Sequence, residues 1–555
     1  MNSGDTGGTD MAERYLVIAE VSQKQSYIFN RNELKINVRN SSAIAMVTES
    51  EYFKRAAGSL YSEQENLVYA GGGHSVLEFT AASEGEAKEK ARRFCRLLTL
   101  KVFEDFPDIA FFTTIMKYDE EKSPSRNLRA LTGLLEDKKN RRLASFHQGT
   151  FGIEMTDPND LQPVRILRKE AEKTLADMIG RKKRQDDEKV LPEGFRQPER
   201  FAELGGTKDL SNFIAVVHID GNGMGNRVSR FYEDLEGQGL GWEKFRARIR
   251  EFSEQIDRDF KASFKDMAEQ IAENIRAGRL DALSLQDGVL PVRRIITSGD
   301  DICYVAEGRV GIESAALFLR SLAKKTGYDG KPYAACAGVC LIHQKYPFYR
   351  AYELAEELCG SAKSYGAKLS KTDNGASVSA IDWHIEFGEM QDSLEEIRRQ
   401  YETADGNRLE MRPYVVCMGA DGTSVLPARL YSHFRSQMAS ILSKTELYPA
   451  GKLKELRTAL KKGEEAAKYY LIHNHMYDVA LERYQDVISE LLTEGKTPGF
   501  DGNGLDRDLF LADPFVDDPD EEKRKHSTLF DAVELMDTFL VLEEKDTKEE
   551  NEVAV

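Results

Sequence analysis

The chain has 555 residues, of which 41% are hydrophobic and 31% charged, and its formal net charge is −17. This length is too great for one hydrophobic core, and the composition is that of a globular protein and not of a disordered or fibrous one. No run approaches the roughly 18 apolar residues of a membrane helix, and the acidic balance does not favour binding along an extended nucleic acid. Six cysteines without a C-x-x-C pair exclude a zinc ribbon and a disulfide framework and predict a reducing, cytoplasmic location.

Residues 12–120 are predicted to form the first folded unit, after a disordered leader at residues 1–11. The segment Tyr15–Val21 is apolar and rich in β-branched residues, which predicts a buried strand. A helical pattern follows, and two apolar runs within Glu65–Ala81 then predict a hairpin. The turn between these runs holds three glycines, which suit positive φ angles: Gly71, Gly72 and Gly73. One more helix and one more strand complete the order strand, helix, hairpin, helix, strand.

Residues 206–390 repeat this order. The pattern predicts a strand at Phe213–Asp220, a hairpin at Arg293–Glu307 and a strand at Ala334–His343, with helices between them. A helix that runs to about Lys368 and one more strand follow. Two copies of a β-α-β-β-α-β unit predict an α+β fold with two ferredoxin-like sheets, each with helices on one face.

The remaining segments are predicted to be mostly helical. Residues 121–205 are predicted to be a helical linker region, in which the basic cluster Arg181–Arg184 is followed by acidic residues. That cluster is typical of a solvated linker, with a phosphate-binding patch as the alternative. Residues 391–540 show long helical periodicities and predict a helical C-terminal domain, and the acidic segment 541–555 is expected to be disordered.

Three carboxylates of the second unit are predicted to meet at one edge of its sheet. Asp220 ends the first strand, and Asp300 and Asp301 lie at the tip of the hairpin on neighbouring strands. Clustered carboxylates suit Mg²⁺ or Mn²⁺, and two such ions about 4 Å apart can activate a hydroxyl and stabilise a leaving phosphate. The glycines after the first acid would let a triphosphate approach the backbone closely.

The two motifs that hold these acids are Asp-Gly-Asn-Gly and Gly-Asp-Asp, and each of them, taken alone, is also an ordinary turn sequence. Asp-Gly-Asn-Gly recurs at Asp501–Gly504 without any accompanying motif. The presence of both motifs at matching places in one unit favours a catalytic site over two unrelated turns.

Longer motifs of the second unit resemble the catalytic palm of the large signature subunit of type III CRISPR complexes. They are I-D-G-x-x-M-G on the strand, S-G-D-D on the hairpin and A-G-V-x-L-I-H-x-K-Y-P-F-Y after it. The first unit resembles the non-catalytic palm of that family through E-V-S-Q-K-Q-S-Y-I-F at Glu20–Phe29. The family makes cyclic oligoadenylates from ATP, and its palm is related to the GGDEF palms of diguanylate cyclases.

The resemblance implies roles for particular residues. Asp220, Asp300 and Asp301 fall on the metal-binding catalytic carboxylates, and the implied metal is Mg²⁺ or Mn²⁺. The implied nucleotide contacts are Gly221, Asn222, Gly223, Met224, Gly225, Ser298, Gly299, Lys363, Lys368 and the hairpin glycines Gly71, Gly72 and Gly73. Asn222 and Ser298 stand where the family usually has Asp and Gly, which leaves the base preference open.

The first unit is expected to be catalytically degenerate. Its strand offers Glu20 in place of Asp220, and its hairpin offers Gly73 and His74 in place of the Asp pair. One carboxylate cannot hold two metal ions. The HD nuclease and the zinc ribbon that the family often carries are not recognisable, so a reduced relative is expected.

The function expected from these features is a nucleotidyltransferase or cyclase that condenses ATP, or another nucleoside triphosphate, into a cyclic (oligo)nucleotide messenger. Such a messenger implies antiviral defence signalling and a downstream effector that senses it. A non-catalytic, nucleotide-binding scaffold subunit of a CRISPR-like RNA-guided complex is the alternative, and a GGDEF-type diguanylate cyclase is a third possibility. Ring size, activating signal and oligomeric state are not determined by the sequence.

Overall fold

The computed structural model describes residues 12–141, 153, 155–156, 169–206, 212–369, 377–387, 393–419, 425–443, 449–474, 476, 514–518 and 524–544. The predicted leader, residues 545–555 of the predicted tail and Asp501–Gly504 lie outside this part of the chain. Helices and strands are interspersed along the described residues, so the predicted mixed α+β class is confirmed. Within the same residues, no helix combines the length and the apolar composition that crossing a membrane requires.

The first sheet is built from four antiparallel strands in the order β2-β3-β1-β4. This is the order that a β-α-β-β-α-β unit produces. The strands are β1 (Glu13–Ser22), β2 (Leu67–Gly71), β3 (His74–Ala81) and β4 (Ala110–Lys117). The helices are α1 (Lys24–Ile28), α2 (Leu34–Val47), α3 (Ser50–Ala57), α4 (Glu63–Asn66), α5 (Glu84–Asp105) and α6 (Pro124–Asn140). We call residues 12–141 the first half.

The second sheet has six strands in the order β10-β9-β8-β5-β7-β6, and all neighbours are antiparallel except β8 and β9. The strands are β5 (Phe213–Gly221), β6 (Val292–Ser298), β7 (Asp301–Glu307), β8 (Ala335–His343), β9 (Val378–Ile385) and β10 (Tyr414–Met418). The helices before and between them are α7 (Lys169–Glu188), α8 (Met224–Gly237), α9 (Trp242–Arg276), α10 (Gly311–Ala323) and α11 (Phe348–Leu369). We call residues 212–419 the second half.

The region 391–540, predicted to be helical, contains strands as well as helices. Its elements are α12 (Leu394–Arg399), β10, α13 (Tyr431–Ser443), α14 (Ala450–Lys461), α15 (Glu464–His473), β11 (Phe515–Asp517), β12 (Lys525–Ser527) and α16 (Phe530–Leu535). β10 pairs with β9, so the second sheet extends past the predicted boundary at residue 390. A five-residue strand at the sheet edge is too short to interrupt the helical periodicity around it, which is why the pattern did not reveal it.

The region 121–205, predicted as a linker, contributes two packed helices. α6 lies against β4 and β1, and α7 lies against α2. The basic cluster Arg181–Arg184 is part of α7, where Lys182 contacts Glu49 at 2.6 Å and Asp186 at 3.1 Å. The cluster therefore belongs to a helix that packs on the first half, and the side chains of Arg181 and Arg184 are exposed on it.

The strand β5 separates two hydrophobic layers because its side chains alternate between the faces of the sheet. Ala215, Val217 and Ile219 pack in the layer formed with α9 and α10. Ile214 and Val216 pack in the layer shared with α11 and the first half. Asp220 follows the second series, so it lies near the end of the strand on the face that α11 covers.

The two halves pack against each other in a reciprocal way. α9 of the second half lies on β2 of the first sheet, and α2 of the first half lies on β6 of the second. The rings of Phe29 and Tyr352 stack with centroids 4.3 Å apart. Glu78, which is buried in the first half, accepts a hydrogen bond of 2.7 Å from the indole Nε1 of Trp242. The acid-bearing edge of the second sheet therefore lies at the junction of the halves.

Candidate functional site

The structure brings the three predicted carboxylates together. Asp220 of β5 lies directly opposite Asp301 of β7 in the register of the sheet. Gly299, with φ +65°, and Asp300 form the turn before β7, and the positive φ explains the glycine. Asp300 lies against Gly221, where an added Cβ would be 2.9 Å from the Cβ of Asp300. The first glycine of the loop is therefore required by the close approach of the hairpin.

Lys363 is the basic residue that contacts this cluster. It projects from α11, and its Nζ lies 2.5 Å from Oδ2 of Asp220 and 3.1 Å from the carbonyl oxygen of Gly221. The ammonium group neutralises one acid and is positioned at the backbone that leads into the glycine-rich loop. Lys368 lies five residues later, about 140° further around the helix, and its side chain is exposed. The structure therefore places one of the two predicted lysines at the acids.

Crowding and burial raise the pKa values of the two hairpin acids, Asp300 and Asp301. Burial, followed by the charges of Asp220 and Asp300, raises the pKa of Asp301 to about 7. Burial, followed by the charge of Asp220, raises the pKa of Asp300 to about 6. Nearby, burial lowers the pKa of His218 to about 4, so its ring is neutral at pH 7. The cluster concentrates negative charge without enough counter-charge to stabilise it.

One buried oxygen of the acid cluster lacks a hydrogen-bond partner among the described residues. Oδ1 of Asp301 is 3.7 Å from Nδ1 of His218, which is too far for a hydrogen bond, and neither atom has another hydrogen-bond partner among the described residues. The side chains of Asp220 and Asp301 remain 39% and 35% exposed, so solutes can reach them. Asp301 lies opposite Asp220 and next to Asp300, and an unpartnered carboxylate oxygen in such a group of acids suits a hard divalent cation.

The side chains are not arranged as a finished metal site. Among the described residues, no three carboxylate, imidazole or thiolate groups are placed as the ligands of one ion. Lys363 donates to one oxygen of Asp220, Oδ2. The donor chemistry of the three carboxylates fits Mg²⁺ or Mn²⁺.

The loop after Asp220 leads directly into a helix. Gly223 has φ +63° and precedes α8, which begins at the buried Met224. The space around Gly225 is open, since an added Cβ there would meet no heavy atom within 4 Å. The first backbone N–H groups of a 14-residue helix form a favourable environment for an anion.

The side chain of Asn222 has a structural role that the sequence did not reveal. Its Nδ2 donates a hydrogen bond of 2.6 Å to the carbonyl of Val378, the first residue of β9. Its backbone N–H donates to the carbonyl of Ala334. Asn222 therefore joins the loop to the far side of the sheet. Ser298 lies opposite Asp301 and closes the two-residue turn at the tip of the hairpin.

A cavity of about 510 Å³ adjoins the same loop, on the side of β9 and β10. Its lining includes Asn222, Gly223, Asn226, Arg227, Arg230, Phe231, Asp234, Asp329, Lys331, Tyr333, Ser377, Ser379 and Met418. The Arg227 guanidinium carbon lies 4.3 Å from the Tyr333 ring centroid, and its Nε donates a 2.7 Å hydrogen bond to Asp329. The sequence did not predict this cavity because its walls come from segments that are far apart in the chain.

The glycine hairpin of the first half forms a turn at Gly72 and Gly73, which both have positive φ angles. In the register of the first sheet, Glu20 lies opposite His74, as Asp220 lies opposite Asp301 in the second. Lys139 of α6 contacts Glu20 at 2.6 Å. Lys24 donates a hydrogen bond to the carbonyl of Gly72. Neither lysine was among the predicted site residues.

No protein-family model matches the sequence, and no curated protein matches it significantly. Solved structures do match. A Csm1–Csm4 cassette in complex with pppApApA aligns with TM-score 0.51 and 13% identity over 94% of this chain and 69% of the other. The cassette in complex with cA4 aligns with TM-score 0.50 and 12% identity over 94% and 70%.

A third structure, a Csm1–Csm4 subcomplex of the type III-A CRISPR-Csm interference complex, aligns with TM-score 0.47 and 13% identity over 90% of this chain and 70% of the other. At such low identity the first two alignments establish similarity of fold. The fold of this chain is therefore similar to that found in the Csm1–Csm4 cassette, in agreement with the resemblance that the sequence motifs predicted.

Proposed function

We propose that this chain is a nucleotidyltransferase that condenses nucleoside triphosphates into a cyclic (oligo)nucleotide. In this proposal the two sheets belong to two palm domains, of which the second is catalytic and the first is degenerate. The observation that carries the proposal is the meeting of Asp220, Asp300 and Asp301 on two adjacent strands at the junction of the halves. Structures of similar fold are complexes with pppApApA and cA4, which supports ATP as the substrate.

The three carboxylates would hold the Mg²⁺ or Mn²⁺ ions. When bound, such ions lower the pKa of an attacking 3′-hydroxyl and neutralise charge on a leaving pyrophosphate. Lys363 would move from Asp220 to a phosphate oxygen as the nucleotide arrives, because a triphosphate competes with a carboxylate for an ammonium group. Gly221 and Gly223 would let the phosphates approach the backbone and the start of α8.

The cavity beside Asn222 would hold the nucleoside part. Its volume of about 510 Å³ lies within the usual range for small-molecule sites. Phe231 and Tyr333 offer aromatic surface for a base, and Ser377 and Ser379 offer hydroxyl groups. The product would act in antiviral defence through an effector that senses cyclic nucleotides. A complex with a further subunit is part of this proposal, because the structures of similar fold contain Csm4.

A nucleotide-binding scaffold without catalysis is the second candidate. Two observations favour it: Asp220 is already paired with Lys363, and the described residues do not present three ligands arranged around one ion. A scaffold would bind nucleotide and leave it unchanged.

Incubation of the full chain with each nucleoside triphosphate and Mn²⁺ distinguishes the candidates. We expect pyrophosphate release and a cyclic product in the mass spectrum, and loss of both in Asp300→Ala/Asp301→Ala. Lys368→Met is the matched control, because its exposed side chain lies away from the acids. Binding of triphosphate by calorimetry without turnover under any of these conditions would favour the scaffold.

A further inference from the structure

The loop after β1 contains an unusual backbone conformation. Gln23 has φ +54° and ψ +42°, and it is the one non-glycine residue with positive φ in the part of the chain that the structure describes. A residue with a Cβ is disfavoured in this left-handed region and persists there only when its surroundings hold it. Gln23 directly precedes α1, so its conformation sets the direction in which α1 begins.

The consequence of this turn is the placement of Lys24, the first residue of α1. The half-buried Lys24 extends back to the glycine hairpin, and its Nζ donates a hydrogen bond to the carbonyl of Gly72. The lysine fits there because Gly73 has no side chain. A Cβ on Gly73 would lie 2.8 Å from Cε and 3.1 Å from Nζ of Lys24, which is too close. A strained turn and a glycine together hold one ammonium group at this point.

The charged groups around Lys24 come from both halves. Glu20 of β1 and Lys139 of α6 belong to the first half, and Asp301 of β7 belongs to the acid cluster of the second. Burial lowers the pKa of Lys24, and the two acids oppose this effect. The packing of α1 places it beside the acid cluster: Phe29, which follows α1, stacks on Tyr352, and the Tyr352 ring centroid is 5.5 Å from that of His218. Nδ1 of His218 in turn lies 3.7 Å from Oδ1 of Asp301.

The negative charge expected at the site favours a further cationic group beside it. Three carboxylates and a bound triphosphate carry about seven negative charges, which two divalent cations and Lys363 together do not balance. An ammonium group has three N–H donors, of which the carbonyl of Gly72 takes one. A lysine at this place could bind a phosphate oxygen as a point charge.

We propose that Lys24 binds a phosphate oxygen of the triphosphate held at Asp220, Asp300 and Asp301, so that the first half supplies a phosphate-binding residue to the site of the second. This inference rests on the proposed function and adds a residue to it. It also gives the degenerate half a role, since the halves must be docked for the site to be complete.

The test is calorimetric titration of the full chain with inorganic tripolyphosphate, and with a non-hydrolysable ATP analogue, in the presence of Mn²⁺. We expect Lys24→Met to lower the affinity for each of these two ligands by about tenfold or more. The affinities of Lys24→Arg should stay within about threefold of wild type. Adenosine, which has no phosphate, should bind Lys24→Met and wild type equally. Lys54→Met, an exposed lysine on α3 of the same half, is the matched control and should bind like wild type.

A second variant separates charge from fold. Gln23→Gly relieves the strained turn and retains the lysine, so tripolyphosphate affinity should remain within about threefold. Equal tripolyphosphate affinity in wild type and Lys24→Met would overturn this inference and leave the proposed function standing. If Lys24→Met lost affinity equally for adenosine and tripolyphosphate, or if Lys24→Arg did not restore tripolyphosphate affinity, Lys24 would have a structural role only. Failure of the wild type to bind any triphosphate would overturn the proposed function itself.

Discussion

Lys139 contacts Glu20 in the first half as Lys363 contacts Asp220 in the second, at 2.6 and 2.5 Å. Each lysine comes fifteen residues after the first residue of its helix, and each acid is the eighth residue of its strand. The duplication therefore extends past the predicted β-α-β-β-α-β unit to the helix that follows it. The first half has kept the ion pair but has His74 opposite its acid, where the second half has Asp301.

Removal of Glu20 should leave catalysis largely intact. Its carboxylate is paired with Lys139, and the first half lacks the two further acids that metal binding requires. Glu20→Ala should keep metal-dependent pyrophosphate release within about tenfold of wild type, roughly 1.4 kcal/mol of barrier. Asp220→Asn, at the equivalent place in the second half, should abolish release. A complete loss in Glu20→Ala would mean that the first half takes part in the chemistry.

Loss of Lys363 should be far more damaging than loss of Lys368. Lys363 is the basic group in contact with Asp220, whereas Lys368 is exposed further around α11. Lys363→Met should lower kcat/KM by about 100-fold or more, in the range seen when one charge-stabilising donor is removed. The kcat/KM of Lys368→Met should stay within about twofold of wild type. Steady-state kinetics of both variants test this, and comparable losses would show that the nucleotide lies along the outer side of the helix.

Neutralising the hairpin acids should stabilise the fold. The pKa values of Asp300 and Asp301, about 6 and about 7, lie above the ordinary 3.8. The folded state thus binds these protons more tightly than the unfolded chain, so stability falls as pH rises from about 4 through 7. In EDTA, Asp300→Asn/Asp301→Asn should raise the melting temperature by about 1–3 °C at pH 8, with a smaller gain at pH 5.

The matched control is Asp281→Asn, because Asp281 is an exposed acid in the loop after α9. Its melting temperature should differ little from that of wild type at either pH. A lower melting temperature of the double variant at pH 8 would contradict the expected strain among the acids. A gain in stability would fit residues that are kept for function at a cost in stability.

Glu78 should be essential for docking of the halves. Its carboxylate is 2% exposed, accepts from Trp242 and lies 2.8 Å from Nε of Arg14, and it also contacts Arg246 of α9. Glu78→Ala would leave two guanidinium groups without their buried partner, which costs about 3–5 kcal/mol. Denaturant unfolding should show this loss. Glu254→Ala, which removes an exposed pair with Arg258 on α9, should unfold like wild type.

The arrangement of the acids could be predicted from the sequence because each signal is local. Asp220 ends a β-branched strand, and the Gly299 turn presents Asp300 and Asp301 at a hairpin tip. In a β-α-β-β unit the hairpin must return beside the first strand, so their meeting follows from connectivity alone. The resemblance to the CRISPR subunit rests on the same local motifs.

Contacts between distant segments could be decided only by the tertiary structure. The contact between Lys24 and Gly72 depends on a left-handed Gln23, a conformation that glutamine does not favour and that only packing of the surroundings can maintain. β10 joins the second sheet because the edge of β9 offers unpaired backbone groups, although the flanking sequence is helical. The periodicity of a segment shows which of its faces is buried, but it does not show which other segment packs against that face. The Lys24–Gly72 contact and the pairing of β10 with β9 depend on packing between segments that are far apart in the chain.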